Sequence, residues 1–119
     1  MAFGTKHSVT LTTVGTSSNV TAYTTDIGYG YVNRITFRLG TMTTTADITI
    51  TTADSSITIW QQSNIIAAET SILPRMEIVT TTGTTAGTKE PIMVVNERIK
   101  VVVDNAGAAK EGTLEIIVT

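Results

Sequence analysis

His7 is the single histidine of a chain without cysteine, so any acid–base or metal chemistry must be built around it or around carboxylates. General acid–base work needs a partner positioned on the imidazole, and no residue stands near His7 at metal-ligand spacing. A zinc site would have to draw its other ligands from carboxylates, an uncommon set for that metal. The plain alternative is an exposed residue on or before the first strand. No serine lies in a Gly-x-Ser-x-Gly elbow. The acids are Asp26, Asp47, Asp54, Glu69, Glu77, Glu90, Glu97, Asp104, Glu111 and Glu115. A glycosidase needs two of them across a cleft. Most fall on polar strand faces or in turns, where a charged group stays solvated. Asp47 and Asp54 flank one hairpin and could bind Ca²⁺, although no Asp-x-Asp-x-Asp-Gly run supports a calcium loop.

The glycines make no phosphate loop. Gly28-Tyr29-Gly30 lacks the Lys-Ser/Thr and the helix that such a loop requires, and reads as a turn needing positive φ. Tyr23, Tyr29 and Tyr31 could form an aromatic patch for sugars or bases. A single-stranded nucleic-acid platform would interleave aromatics with Lys and Arg on one face, and this chain does not. Trp60, at a strand end, reads as core or interface. These residues supply no catalytic, cofactor-binding or metal site, so the chain reads as a non-enzyme with no cofactor.

The elements carrying these residues are strands. Threonine makes up roughly a fifth of the chain, and much of it alternates with Ile, Val and Leu, as in Ala46–Thr52 and Ser56–Trp60. β-Branched residues at period two fit a pleated strand with one buried and one wet face. Strands are expected at Ser8–Val14, Asn19–Thr24, Tyr31–Leu39, Ala46–Thr52, Ser56–Gln61, Arg75–Thr80, Ile92–Val95 (a strand of its own or the start of a longer one), Glu97–Asp104 and Thr113–Val118. Tyr31, Ile35, Phe37 and Leu39 make the apolar face of the third, with Arg34, Thr36 and Arg38 facing the other way and Asn33 interrupting the apolar face near its start. The link Ala53-Asp54-Ser55 is short enough to make its strands antiparallel neighbours, with Ile48 and Ile50 facing Ile57 and Ile59. Met76 and Ile78 should point inward. Asn64–Ser71 holds at most one helical turn, being too short for an independent helix. Thr80–Lys89 reads as an exposed loop or hairpin tip, and Pro91 as the opening of a strand, since it cannot donate to a ladder. Ile35, Phe37, Ile48, Ile50, Ile59, Ile78, Ile99, Val101, Leu114 and Ile116 are the expected core.

A chain of 119 residues is one domain. The expectation is an all-β, single-domain antiparallel β-sandwich, jelly-roll or Ig-like, of about eight strands. It spans 1–119, with 1–7 either an extended N-terminal arm or a disordered terminus. Charged residues are 15% of the chain and the net charge is −2. That low charge argues against nucleic acid as a partner. Nothing at the start of the sequence reads as a signal peptide, and no apolar run reaches membrane-helix length, so no membrane partner is expected.

The segment Glu90–Gly107, with its Glu97-Arg98-Ile99-Lys100-Val101-Val102-Val103 run, followed by Lys110-Glu111-Gly112-Thr113-Leu114, resembles small virion proteins of tailed bacteriophages. Gly40–Ile50, ending Ala46-Asp47-Ile48-Thr49-Ile50, is similar to the same proteins. The resemblance implies a homo-oligomeric capsid decoration (cement) protein on the major capsid protein, or else a tail or head–tail connector component. Its location would be the virion, after synthesis in the host cytoplasm. Candidate subunit contacts are Phe3 and His7 in the arm, Thr84 and Thr85 in the loop, and Val102 and Ile117, which put apolar groups on otherwise polar strand faces. For those last two, a doubly covered central strand is the alternative. Two other classes stay open: a carbohydrate-binding module exposing the tyrosines, and a small hydrolase with a cleft at His7. With no cysteine and a lone histidine, folding should need no metal. EDTA should therefore leave the melting temperature unchanged, and a drop of several degrees would restore the Asp47/Asp54 calcium reading.

Overall fold

The computed structural model of the chain describes residues 4–79 and 85–119, with side chains described for 4–76 and 89–119. Ten strands form: β1 (Thr5–Thr12), β2 (Val20–Tyr23), β3 (Ile27–Arg38), β4 (Asp47–Thr52), β5 (Thr58–Gln62), β6 (Glu69–Ile72), β7 (Arg75–Val79), β8 (Thr85–Glu97), β9 (Ile99–Asp104) and β10 (Glu111–Val118). All pairings are antiparallel. One sheet runs β1-β10-β3-β8-β7, with β6 also on β3, and the other runs β2-β9-β4-β5. This is the expected all-β sandwich of two antiparallel sheets, with more strands than expected and no helix among the described residues. Ile65 is fully buried without any helical turn around it.

Period-two alternation builds the core. Ile48, Ile50 and Thr52 of β4, Ile99, Val101 and Val103 of β9, and Leu114, Ile116 and Val118 of β10 all point inward. They meet Ile35 and Phe37 of β3 in one apolar cluster. Every expected core residue is buried except Ile78, which lies outside the described side chains. Trp60 is half-buried and packs against the same cluster.

Where the reading fails, local irregularities explain it. The parity of β3 changes at Asn33: Ile117 pairs with Arg34, but Val118 pairs with Val32. The bulge reverses the faces before it, so Val32 is buried and Tyr31 is exposed. A second irregularity, between Ile50 and Thr51 of β4, leaves Ile59 inward and Ile57 exposed. Met76 is also exposed. The β1 strand already begins at Thr5, so Thr5–His7 belong to the sheet and not to an arm. Thr85–Lys89 begins β8, which pairs antiparallel with β7 and sets Thr85 opposite Val79, so of the two readings of this segment the hairpin fits and the loop does not, while Thr80–Thr84 lie outside the described residues. Pro91 does not open a strand. It sits inside β8, as the last residue paired to β7, and Ile92 next to it is the first residue paired to β3.

The buried polar side chains among the described residues are Thr13, Thr24, Thr36 and Thr52. Thr24 lies at the end of β2, where its Oγ1 accepts the Ile99 N–H at 3.0 Å and donates to the Thr25 carbonyl at 2.8 Å. Thr13 Oγ1 donates to the Gly107 carbonyl at 2.7 Å and accepts the Lys110 N–H at 2.8 Å. Thr52 Oγ1 accepts the Ile57 N–H at 2.8 Å. Thr36, inside β3, instead meets the Ser71 hydroxyl at 3.0 Å. The hydroxyls of Thr13, Thr24 and Thr52 each serve a backbone group where the chain leaves a strand, and an unserved buried N–H costs about 1–3 kcal/mol. Thr24→Val should accordingly destabilise the protein by about 1–3 kcal/mol in urea unfolding, while Thr24→Ser, which keeps the hydroxyl, stays near the parent.

Candidate subunit-contact surface

Gly30 shows how the sequence aims this surface. A side chain there would collide with Val118 and would press on the Thr119 carbonyl. Glycine lets the end of β10 lie against the β3 backbone, and Tyr31 and Thr119 exchange two backbone hydrogen bonds at 2.9 and 3.0 Å. Gly28-Tyr29-Gly30 is therefore extended strand and not the expected positive-φ turn. With Gly30 and Val32 facing inward, Tyr29 and Tyr31 face out.

The neighbouring strand completes the surface. Tyr29 pairs with Val95 and Tyr31 with Met93, and directly opposed residues of an antiparallel pair share a face. Relative exposures of 68% for Tyr29, 40% for Tyr31, and 46% each for Met93 and Val95 make this an open apolar patch. The two rings meet edge to face, with centroids 6.4 Å apart and planes at 74°. Contiguous exposed apolar side chains of this kind mark contact sites on soluble proteins. Tyr23 belongs to the other sheet and lies under the Arg98 guanidinium, 4.3 Å from its ring centre. The three tyrosines thus do not share one sheet face, and the two that do have Met93 and Val95 beside them, which offer a sugar no hydrogen bond.

The sequence singled out the tyrosines but missed Met93 and Val95. Ile92-Met93-Val94-Val95 is apolar at every position, so alternation does not say which face is covered, and only Ile92 and Val94 are buried. Of the expected contacts, His7 is half-buried in β1, opposite Ile116, with Nδ1 3.5 Å from Thr25 Oγ1. Val102 is half-buried between Thr21 and Thr49, and Ile117 between Lys6 and Arg34. Phe3 and Thr84 lie outside the described residues, as does the side chain of Thr85.

Two carboxylates act as structural ties. Glu97 accepts the Asp54 and Ser55 N–H groups at 2.8 and 3.0 Å and the Ser55 hydroxyl at 2.8 Å. This fastens the β4–β5 turn to the corner where β8 leaves one sheet and β9 enters the other. Asp47 accepts the Asn64 N–H and the Asn105 amide, both at 2.9 Å. The Ser55 and Asp54 N–H groups hold the Glu97 carboxyl below its ordinary pKa, and the Asn64 N–H followed by the Asn105 amide does the same for Asp47. Among the described residues no three His, Cys, Asp or Glu side chains gather to hold a metal.

Neither a protein-family model nor a curated protein sequence matches the chain. Among solved structures, a chain in the acid-stable capsid of Helicobacter pylori bacteriophage KHP30 superposes with a TM-score of 0.53 at 14% identity. The match covers 98% of this chain and 92% of that one. A chain of the virus-like particle of Macrobrachium rosenbergii extra small virus gives a TM-score of 0.35 at 6% identity, covering 99% and 79%. An exo-β-1,3-galactanase from Phanerochaete chrysosporium gives 0.36 at 10% identity, with 98% of this chain on 27% of the enzyme. The last two are too distant to carry an argument, and the first establishes likeness of fold.

Both tied carboxylates have a lowered folded pKa. Their stabilisation is complete above the ordinary carboxylate range and fades as pH falls through the depressed values. The Asp47→Asn/Glu97→Gln variant should melt lower than the parent at pH 7. The gap should narrow below about pH 4, as read by melting curves across pH.

Proposed function

We propose that the chain is a non-enzymatic virion structural protein, specifically a homo-oligomeric capsid decoration protein bound to the outer surface of the major capsid protein. The observation that carries this reading is the whole-length superposition on a chain of similar size in the bacteriophage KHP30 capsid. The likeness of the Glu90–Leu114 segment to small virion proteins of tailed phages supports it. So does the surface itself. Tyr29, Tyr31, Met93 and Val95 project from two paired strands, near the start of β3 and the end of β8, on a sheet and not on a loop, which suits docking against another folded surface. In this reading the four residues form the centre of the capsid contact. Phe3, His7, Thr84 and Thr85 are further contacts, Ile117 adds a part of its surface from the same sheet, and Val102, on the outer face of the other sheet, meets a different subunit. A place in the tail or head–tail connector uses the same surface against a different virion subunit.

The test adds purified protein to capsids that lack it. Binding should saturate at a fixed ratio per capsomer. A Tyr29→Ser/Met93→Thr variant with an unchanged melting curve should bind at least tenfold more weakly, a loss of about 1.4 kcal/mol or more from the contact. Absence of the protein from purified virions would remove the proposal, and binding to a glycan array through the same tyrosines would replace it with the carbohydrate-binding reading.

A further inference from the structure

The β5 strand forms one edge of its sheet, and apart from its short length and the irregularity at Ile59 its sequence carries none of the usual protection. Proteins blunt exposed edges with charges, prolines or covering segments, because an open row of N–H and C=O groups is a template for another strand. From Ser55 to Ala68 there is no charged residue and no proline. Among the described residues, Thr58–Gln62 take backbone hydrogen bonds from β4 alone. The opposite edge of the same sheet, β2, lies beside β1. Trp60, the only tryptophan, stands on β5 and is left half-buried where core residues elsewhere are fully covered.

We propose that β5 is a pairing edge for β5 of a second copy, joining two four-stranded sheets into one antiparallel sheet across a two-fold axis near Gln61. The absence of charge favours a copy over another partner. Antiparallel self-pairing sets each residue opposite another of the same segment, and like charges directly opposed destabilise such a pair. Here none meet. Gln61 faces its own copy and Trp60 faces Gln62 of the other chain, so the amide side chains can bond along the new ladder and the exposed part of the indole is covered. The Ile59 irregularity bends the first part of the strand, and the straight run Trp60–Gln62 carries the pairing. The surface is distinct from the Tyr29–Val95 patch, and the inference stands whether or not the virion reading holds.

The experiment measures self-association by sedimentation equilibrium from roughly 10 µM to 1 mM, with Trp60 emission as a second reading. A dimer should form, with emission moving to shorter wavelength as the indole leaves water. Gln61→Lys should weaken association at least tenfold with an unchanged melting curve. An equimolar mixture of Gln61→Lys and Gln61→Glu, which places opposite charges face to face, should restore it. A wild-type chain that stays monomeric at 1 mM would overturn the proposal, as would a dimer indifferent to Gln61→Lys. Amide protection of Thr58–Gln62 that appears only on capsids would overturn it in favour of a strand from another virion subunit.

Discussion

Two stacked sheets must bury a continuous apolar layer while the chain turns between them, and each turn drives unpaired backbone groups into that layer. Threonine hydroxyls resolve this conflict. Thr24 closes the Ile99 N–H at the crossing after β2, Thr13 ties the end of β1 to the β9–β10 turn, and Thr52 caps the β4–β5 turn. Thr43 and Thr45 do the same from the surface, both donating to the Asn105 carbonyl at 3.0 and 2.8 Å. Threonine suits the task twice over. Its β-branch favours the strand it ends, and its short hydroxyl reaches a neighbouring backbone group without burying a charge.

That solution leaves electrostatics a minor part of the stability. Among the described residues the core is apolar apart from threonine hydroxyls. The ion pairs among the described residues run from Arg38 to Glu69 and Glu115, at 3.5 and 3.1 Å on the surface, where such pairs contribute little. Glu97 and Asp47 matter more for position than for energy, since they fix corners that decide which sheet the next strand joins. A surface dressed mainly with hydroxyls instead of charges also lets an apolar patch and an uncharged edge stand open. A monomer with nothing to bind gains nothing from either.

The sequence by itself determined the class, the strands and most of the core, because period-two alternation is a local property that survives any arrangement of the sheets. β4, β9 and β10 could be read residue by residue for that reason, as could the antiparallel hairpin at Ala53-Asp54-Ser55. The tertiary structure decided everything that depends on a neighbouring strand. The bulge opposite Ile117 and Val118 turned Tyr31 out and Val32 in. The approach of Val118 made Gly30 a strand residue, although glycine's local preference signals a turn. The partner strands of β8 placed Pro91 mid-strand, at the change from β7 to β3, where its missing N–H is tolerated. The contact surface was half legible for the same reason: aromatic residues announce themselves, but whether Met93 and Val95 are core or surface depends on what covers the second face of β8. That is a fact about the whole fold, which no local pattern contains.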